Sequence, residues 1–424
     1  MSSSPREYSF ATVAIHIGSH PDPATNAVIA PIGVSTTFAQ SEIGTSKYEY
    51  SRSGNDSRER FETVVAALEK GKYGLAFSSG SAVTAAILDS IRGGHVVCGH
   101  DVYGGTHRYM TKVAKYKGLE TTFANLSDPE SLREHVRPDT KAVWVESPSN
   151  PTLTLVDIAE ISRIAKEINP EIIVVVDNTF LSPYISNPLT LGADIVFHSV
   201  TKYINGHSDV VMGALVTNSE SLYEGLKFLQ NANGSVPSPF DCFLAHRGAK
   251  TLALRAQAAS DNALAIATYL SNSPHVLSVS YPGLKSHPQH HLTYKQHRQG
   301  PDGHPLSGGM ISFRIKGGPL AAERFCYSTH LFTLAESLGG VESLLEIPAR
   351  MTHAGLTEEE RTRAGVYGDL IRLSVGIEDK DDLIADIQRA FEKTVQSMRP
   401  PIKEAPEVDS GIGSEASSDT VADA

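Results

Sequence analysis

From Asp56 onward the chain settles into alternating blocks. Phe61, Val64, Val65 and Leu68 fall at the i, i+3, i+4, i+7 spacing of one helical face, and Gly71 closes that segment. A strand-like run, Leu75 to Phe77, leads into SSGSA. Comparable runs recur at His95 to Cys98, Ala142 to Glu146, Ile172 to Asp177 and Asp194 to Ser199, separated mostly by helical stretches such as Asp157 to Ile168. Continuous apolar strands alternating with helices predict an α/β fold built on a largely parallel, doubly covered sheet. After about residue 260 the order changes. Strand candidates at Ser278 to Tyr281, Met310 to Ile315 and Leu370 to Val375, with helices near 318–328 and 379–396, predict a smaller α+β domain.

The flanks read differently. Residues 1–55 show little periodicity and are punctuated by Pro21, Pro23, Pro31, Gly33 and Gly44, so they are expected to form an extended arm reaching a neighbouring subunit. The domain reading is then 56–260 for the large unit, 261–399 for the small one, and 400–424 for a tail. That tail carries six acids from Glu404 to Asp423 against Lys403 alone, with no aromatic and no leucine, a composition that predicts disorder. His287 to His304 holds five histidines at irregular spacing without nearby acids, which predicts a solvated surface loop rather than a metal site.

Composition narrows the class. The 424 residues are 40% hydrophobic and 20% charged, ordinary for a globular protein large enough for two cores. A formal charge of −11 argues against a nucleic-acid surface. No apolar run approaches the roughly 18 residues of a spanning helix, and the first residues resemble no export signal, so no membrane association is expected. Three widely spaced cysteines, Cys98, Cys242 and Cys326, suggest neither a disulfide framework nor a thiolate zinc site, and a cytoplasmic location fits.

In an open parallel sheet, ligands bind beyond the carboxyl ends of the strands. Ser78, Ser79, Gly80 and Ser81 follow one strand run and open a helix, where N–H groups and hydroxyls can converge on a phosphate; a small turn with a serine cap is the alternative. Asp177 ends the run IIVVVD, where a buried carboxylate needs a cation, unless it caps the next turn. Lys202 follows the next strand beside Ser199 and Thr201, and a desolvated lysine there becomes nucleophilic toward an aldehyde. Tyr103 follows another strand and offers a stacking face. These parts in this order meet the needs of pyridoxal 5′-phosphate (PLP): donors for its phosphate, a face for its ring, a carboxylate for its nitrogen and an amine for its aldehyde.

The blocks YSRSGN, SSGSA, DVYGGTHRY, ESPSNPT, VVVDNTF, SVTKYINGHSDVVMG, LAESLGGVESL, MTHA and IRLSVGIED resemble the signature blocks of the Cys/Met-metabolism PLP-dependent enzymes over about residues 10–395. The resemblance implies the aspartate aminotransferase-like fold (fold type I) and a homotetramer of catalytic dimers acting on an amino-acid substrate. It implies that Lys202 carries the cofactor, Asp177 pairs with its ring nitrogen, Tyr103 stacks on its ring, and Ser79, Gly80, Ser81, Thr179, Ser199 and Thr201 complete its seat. Tyr50 and Arg52 would reach the neighbouring chain's phosphate, and a guanidinium suits that dianion. Asn150, Arg108, Glu336, Ser337 and Arg372 would contact substrate, with Arg372 on its carboxylate; a buried arginine inside LIRLSV calls for an anion in any case. Within the family, YGGT and AESLGG point to γ-elimination of L-cystathionine. The alternatives are γ-replacement and, from another class, a catalytically silent PLP-binding scaffold.

Overall fold

A computed structural model describes residues 8–398 except 92 and 356. The acidic tail lies outside the described residues. The chain builds two sheets. The first has seven strands: β1 (Tyr73–Phe77), β2 (Gly94–Gly99), β3 (Leu119–Ala124), β4 (Thr140–Glu146), β5 (Ile173–Asp177), β6 (Ile195–Ser199) and β7 (Gly213–Thr217), in the order β1-β7-β6-β5-β4-β2-β3. All neighbours run parallel except β7, which is antiparallel to both β1 and β6. Helices cover both faces. α1 is Phe10–His16, α2 Asp56–Leu68, α3 Gly80–Ser90 and α4 Gly104–Lys112. Phe61, Val64, Val65 and Leu68 of α2 pack on Val196, Ala214 and Val216 on one face, while Val83, Ala86 and Ile87 of α3 meet Val175, Ile195, Phe197 and Leu215 on the other.

The second sheet joins β8 (Val276–Ser280), β9 (Met310–Ile315), β10 (Thr333–Leu334), β11 (Leu344–Glu346) and β12 (Leu370–Ser374) in the order β10-β11-β12-β9-β8. Its core includes Ile311, Phe313, Ile371 and Leu373, against Phe325 and Phe391 of the helices Gly318–Ser328 and Lys380–Met398. The 20-residue helix Leu252–Ser271 contributes to both cores, with Ala256 and Ala259 in the first and Ala263 and Ile266 in the second. No helix among the described residues is long and apolar enough to cross a membrane.

Two segments depart from expectation. The stretch 8–55 is mostly irregular but opens with α1, whose Ala14 is buried beside α2. The His287–His304 segment is not a solvated loop throughout. His290–Gln296 is helical with Leu292, Thr293 and Gln296 buried, and His287 and His297 are buried as well. Backbone carbonyls make this possible: the His287 ring lies 3.1 Å from Leu153 O and His297 Nδ1 2.9 Å from Leu306 O. Burial lowers both imidazole pKa values to about 4, so each is neutral and tolerable in a packed setting.

Candidate active site

A cavity of ≈ 360 Å³ opens beyond the carboxyl ends of β4, β5 and β6 and is closed from above by the loop after β10 and by β12. It gathers Ser79, Gly80, Ser81, Tyr103, Asn150, Asp177, Thr179, Ser199, Thr201, Lys202, Glu336, Ser337 and Arg372 in one lining. Three sequence candidates lie elsewhere in this chain. Arg108 is exposed on α4, and the exposed Arg52 donates from Nε to Asn231 Oδ1 at 3.1 Å while stacking on Tyr50.

At the floor, α3 points its N-terminus at the cavity. Ser79 serves as its cap, accepting from Ala82 N–H at 3.0 Å, which leaves its own O–H free to donate. Thr201 accepts from Met212 N–H at 3.0 Å and donates its own O–H to the Met212 carbonyl at 3.3 Å. The hydroxyls of Ser81 and Ser199 have no partner among the described residues. Gly80 lets α3 approach β6 closely: a Cβ there would sit 3.1 Å from Ser199 Cβ. The result is an anion cradle of free N–H groups, the open O–H donors of Ser79, Ser81 and Ser199, and a helix dipole.

Asp177 ends β5, 9% exposed, and accepts from Thr179 N–H at 2.9 Å. Thr179 Oγ1 in turn accepts from Ser199 N–H, tying the ends of β5 and β6 together. Burial raises the Asp177 pKa, and no Lys, Arg or His lies within ion-pair distance of it among the described residues. Its burial therefore calls for a cation supplied by a ligand. Lys202, in the turn after β6, meets the opposite condition. Burial, helped by the Arg372 guanidinium, lowers its pKa to about 8, which leaves a usable fraction as neutral amine at neutral pH.

The loop after β10 supplies the other wall. Ser337 accepts from Lys202 Nζ at 2.7 Å through its hydroxyl and from Arg372 Nη2 at 2.8 Å through its carbonyl. It does so at φ 83°, a left-handed conformation unfavourable for serine and held by those two contacts. Gly339, at φ 76°, lets the loop lie on the lysine turn, since a Cβ there would meet Tyr203 N at 2.8 Å. Arg372, on β12, also donates from Nη1 to Asn150 Oδ1 at 2.9 Å and pairs with the buried Glu346 at 3.0 Å, while its Nε has no partner. A cation so placed, with a free N–H, suits a carboxylate ligand. Tyr103 stands at the rim, 45% exposed, its ring folded over Gly105, where a Cβ would lie 2.4 Å from the ring.

Sequence reasoning overlooked Glu146 and Glu346, both buried at the cavity wall or just behind it. The signal was present: each ends or nearly ends an apolar run, AVWVE and LLE, as Asp177 does. Thr106, Phe180, Phe197, Val211, Leu338 and Thr352 also line the cavity. Their side chains carry no distinctive pattern.

A phosphate cradle, an acid lacking its cation, a depressed lysine and an aromatic rim together fit PLP, and define the class as a PLP-dependent enzyme. Residues 11–392 match the family model of the Cys/Met metabolism PLP-dependent enzymes, and the chain belongs to that family. It is 57% identical over 394 residues to a cystathionine γ-lyase of Saccharomyces cerevisiae, covering 91% of this chain and 97% of that protein. Against the cystathionine γ-lyase of Homo sapiens the identity is 49% over 387 residues, covering 90% and 93%. The crystal structure of the yeast cystathionine γ-lyase superposes with a TM-score of 0.87 at 56% identity, over 93% of this chain and 100% of that one. A Lactobacillus plantarum cystathionine γ-lyase complexed with L-serine gives 0.87 at 42% identity, over 92% and 100%.

Proposed function

We propose that this enzyme is a carbon–sulfur lyase that converts L-cystathionine and water to L-cysteine, 2-oxobutanoate and ammonia by γ-elimination, a step of cysteine biosynthesis by transsulfuration. The observation that carries the reading is the convergence of Lys202, Arg372 and the Glu336–Ser337 loop on one cavity, in a chain whose similar proteins bear that activity. Lys202 would hold the cofactor's aldehyde, Asp177 its ring nitrogen, Tyr103 its face, and the α3 terminus with Ser79, Ser81 and Ser199 its phosphate. When bound, PLP supplies an electron sink for charge developing at the substrate's Cα and Cβ.

The residues then divide the remaining work. Arg372, fixed by Asn150, Glu346 and the Ser337 carbonyl, clamps the substrate α-carboxylate and orients Cα toward Lys202. Lys202 Nζ, neutral in a useful fraction, removes the Cα proton and serves again at Cβ. Tyr103, at the rim, would exchange protons with the substrate amine and with the departing sulfur. Glu336 would meet the distal ammonium of cystathionine.

The same reading makes the protein a cytoplasmic homotetramer of catalytic dimers. It assigns residues 1–55 to an arm on the neighbouring subunit, 56–260 to the cofactor domain and 261–399 to the small domain. Exposed Val28, Val34 and Ile43 on the arm are apolar side chains that a neighbour would cover, and Tyr50 and Arg52 are free of this chain's own cavity. Three buried free cysteines suit a reducing compartment. Product analysis decides the chemistry: purified holoenzyme given cystathionine should release 2-oxobutanoate, whereas predominant cystathionine formation from cysteine and an activated homoserine ester would mark a γ-replacement enzyme.

A further inference from the structure

Glu146 ends β4 directly beside Asp177 at the end of β5, the two being paired in the parallel register. Both are nearly inaccessible, at 8% and 9% exposure. The charged groups acting on Glu146 are both negative, Asp177 from β5 and Asp101 from the loop after β2; β2 adds only the buried thiol of Cys98, and α4 the Tyr103 N-terminus. His198 acts on Asp177, with its Nε2 held by Glu69 at 2.5 Å and its buried Nδ1 without a hydrogen-bond partner. Among the described residues no Lys, Arg or His lies within ion-pair distance of Glu146. Two adjacent buried carboxylates without a cation cannot both be ionised at low cost.

Its hydrogen bonds show what Glu146 is for. One oxygen accepts from Tyr103 N–H at 2.8 Å, and the backbone N–H of Asn150 faces the same carboxyl. Asn150 in turn holds Arg372. One side chain thus anchors the turn that carries the aromatic rim and the turn that carries the carboxylate clamp. We propose that Glu146 is a positioning residue that fixes Tyr103 and Asn150 around the cofactor as a neutral carboxyl, leaving the single negative charge of the strand-end pair to Asp177. Burial and the neighbouring Asp177 push its pKa well above the ordinary carboxylate range, in keeping with this state. The inference rests on the PLP seat and is independent of which sulfur substrate is used.

The test compares E146Q with E146A, because an amide is the near-isostere of a neutral acid and alanine removes both anchors. PLP affinity is measured by titrating the apo forms, and thermal midpoints of the apo forms are followed against pH. The expectation is that E146Q binds PLP within about threefold of the parent while E146A loosens it about tenfold or more, the usual scale for stranding a buried donor. A carboxyl whose folded pKa is raised disfavours the fold as pH climbs above its unfolded value, and glutamine carries no such burden. The midpoint of E146Q relative to the parent should therefore rise between pH 5 and pH 8. Equal loosening by both variants, no effect of either, a pH-independent midpoint difference, or an E146Q protein that does not fold would overturn the proposal. Cystathionine turnover by the parent is unaffected by any of these outcomes, so the functional reading stands or falls separately.

Discussion

Lys202 Nζ lies 2.7 Å from Ser337 Oγ, and this contact joins the turn after β6 to the loop after β10. The amine to which we assign the proton transfers is thereby aimed by a residue whose own backbone is held in an uncommon conformation. In Ser337→Ala the carbonyl that supports Arg372 remains, while the lysine's acceptor is gone. We expect kcat to fall roughly two- to tenfold, the worth of one net hydrogen bond, with KM for cystathionine little changed. Steady-state kinetics check this, and a rise in KM at constant kcat would place Ser337 in substrate binding instead.

The lowered pKa of Lys202 has a thermodynamic signature in the apo protein. Its folded value of about 8 lies below the ordinary 10.5, so the fold favours the neutral amine. The lysine therefore disfavours folding below about pH 8, and the effect fades as pH rises toward its unfolded value. Apo Lys202→Met should melt above the apo parent at pH 7, with the gap narrowing as pH rises from about 8 past 10.5. A gap that stays constant across that range would contradict a desolvated lysine.

Glu336 lines the cavity beside Ser337, on the wall facing Lys202. Cystathionine differs from simpler γ-substituted substrates by a distal amino-acid head, whose ammonium a carboxylate can meet. Glu336→Ala should lower kcat/KM for cystathionine about ten- to a hundredfold, the scale of one charge-assisted hydrogen bond at roughly 1.5–3 kcal/mol. A head-less γ-substituted substrate should lose much less. Equal losses on both would make Glu336 a support of the fold or cofactor.

Arg52 and Tyr50 lie outside this chain's own cavity, and the shared-site reading gives them to a neighbour. Arg52→Ala and Lys202→Ala should each be nearly inactive, yet mixed oligomers of the two should regain part of the activity, because some sites then combine two intact contributions. Activity measured after verified subunit exchange decides; no recovery would remove Arg52 from a shared site.

Much of this site was legible because its residues follow a simple rule, a polar group just past an apolar strand. Asp177 and Lys202 obey it, and so does Glu146, which the same rule could have flagged. What stayed hidden had weaker signals. β3, LETTFA, is an edge strand with exposed Glu120 and mixed polarity, and β7, GALVT, is too short and small-sided to separate from the lysine block before it. The histidines of 287–304 read as solvated because nothing local reveals the carbonyls of Leu153 and Leu306 that allow two of them to be buried. The Arg372–Asn150 contact joins positions 222 residues apart, and no local pattern encodes such a meeting.

The most direct measurement of the central claim is the product stoichiometry of purified holoenzyme on L-cystathionine, run in parallel with Lys202→Ala. Elimination at Cγ requires 2-oxobutanoate and cysteine to appear one for one in the parent and to vanish in the variant. Pyruvate with homocysteine, or product formation undiminished without Lys202, would contradict the account.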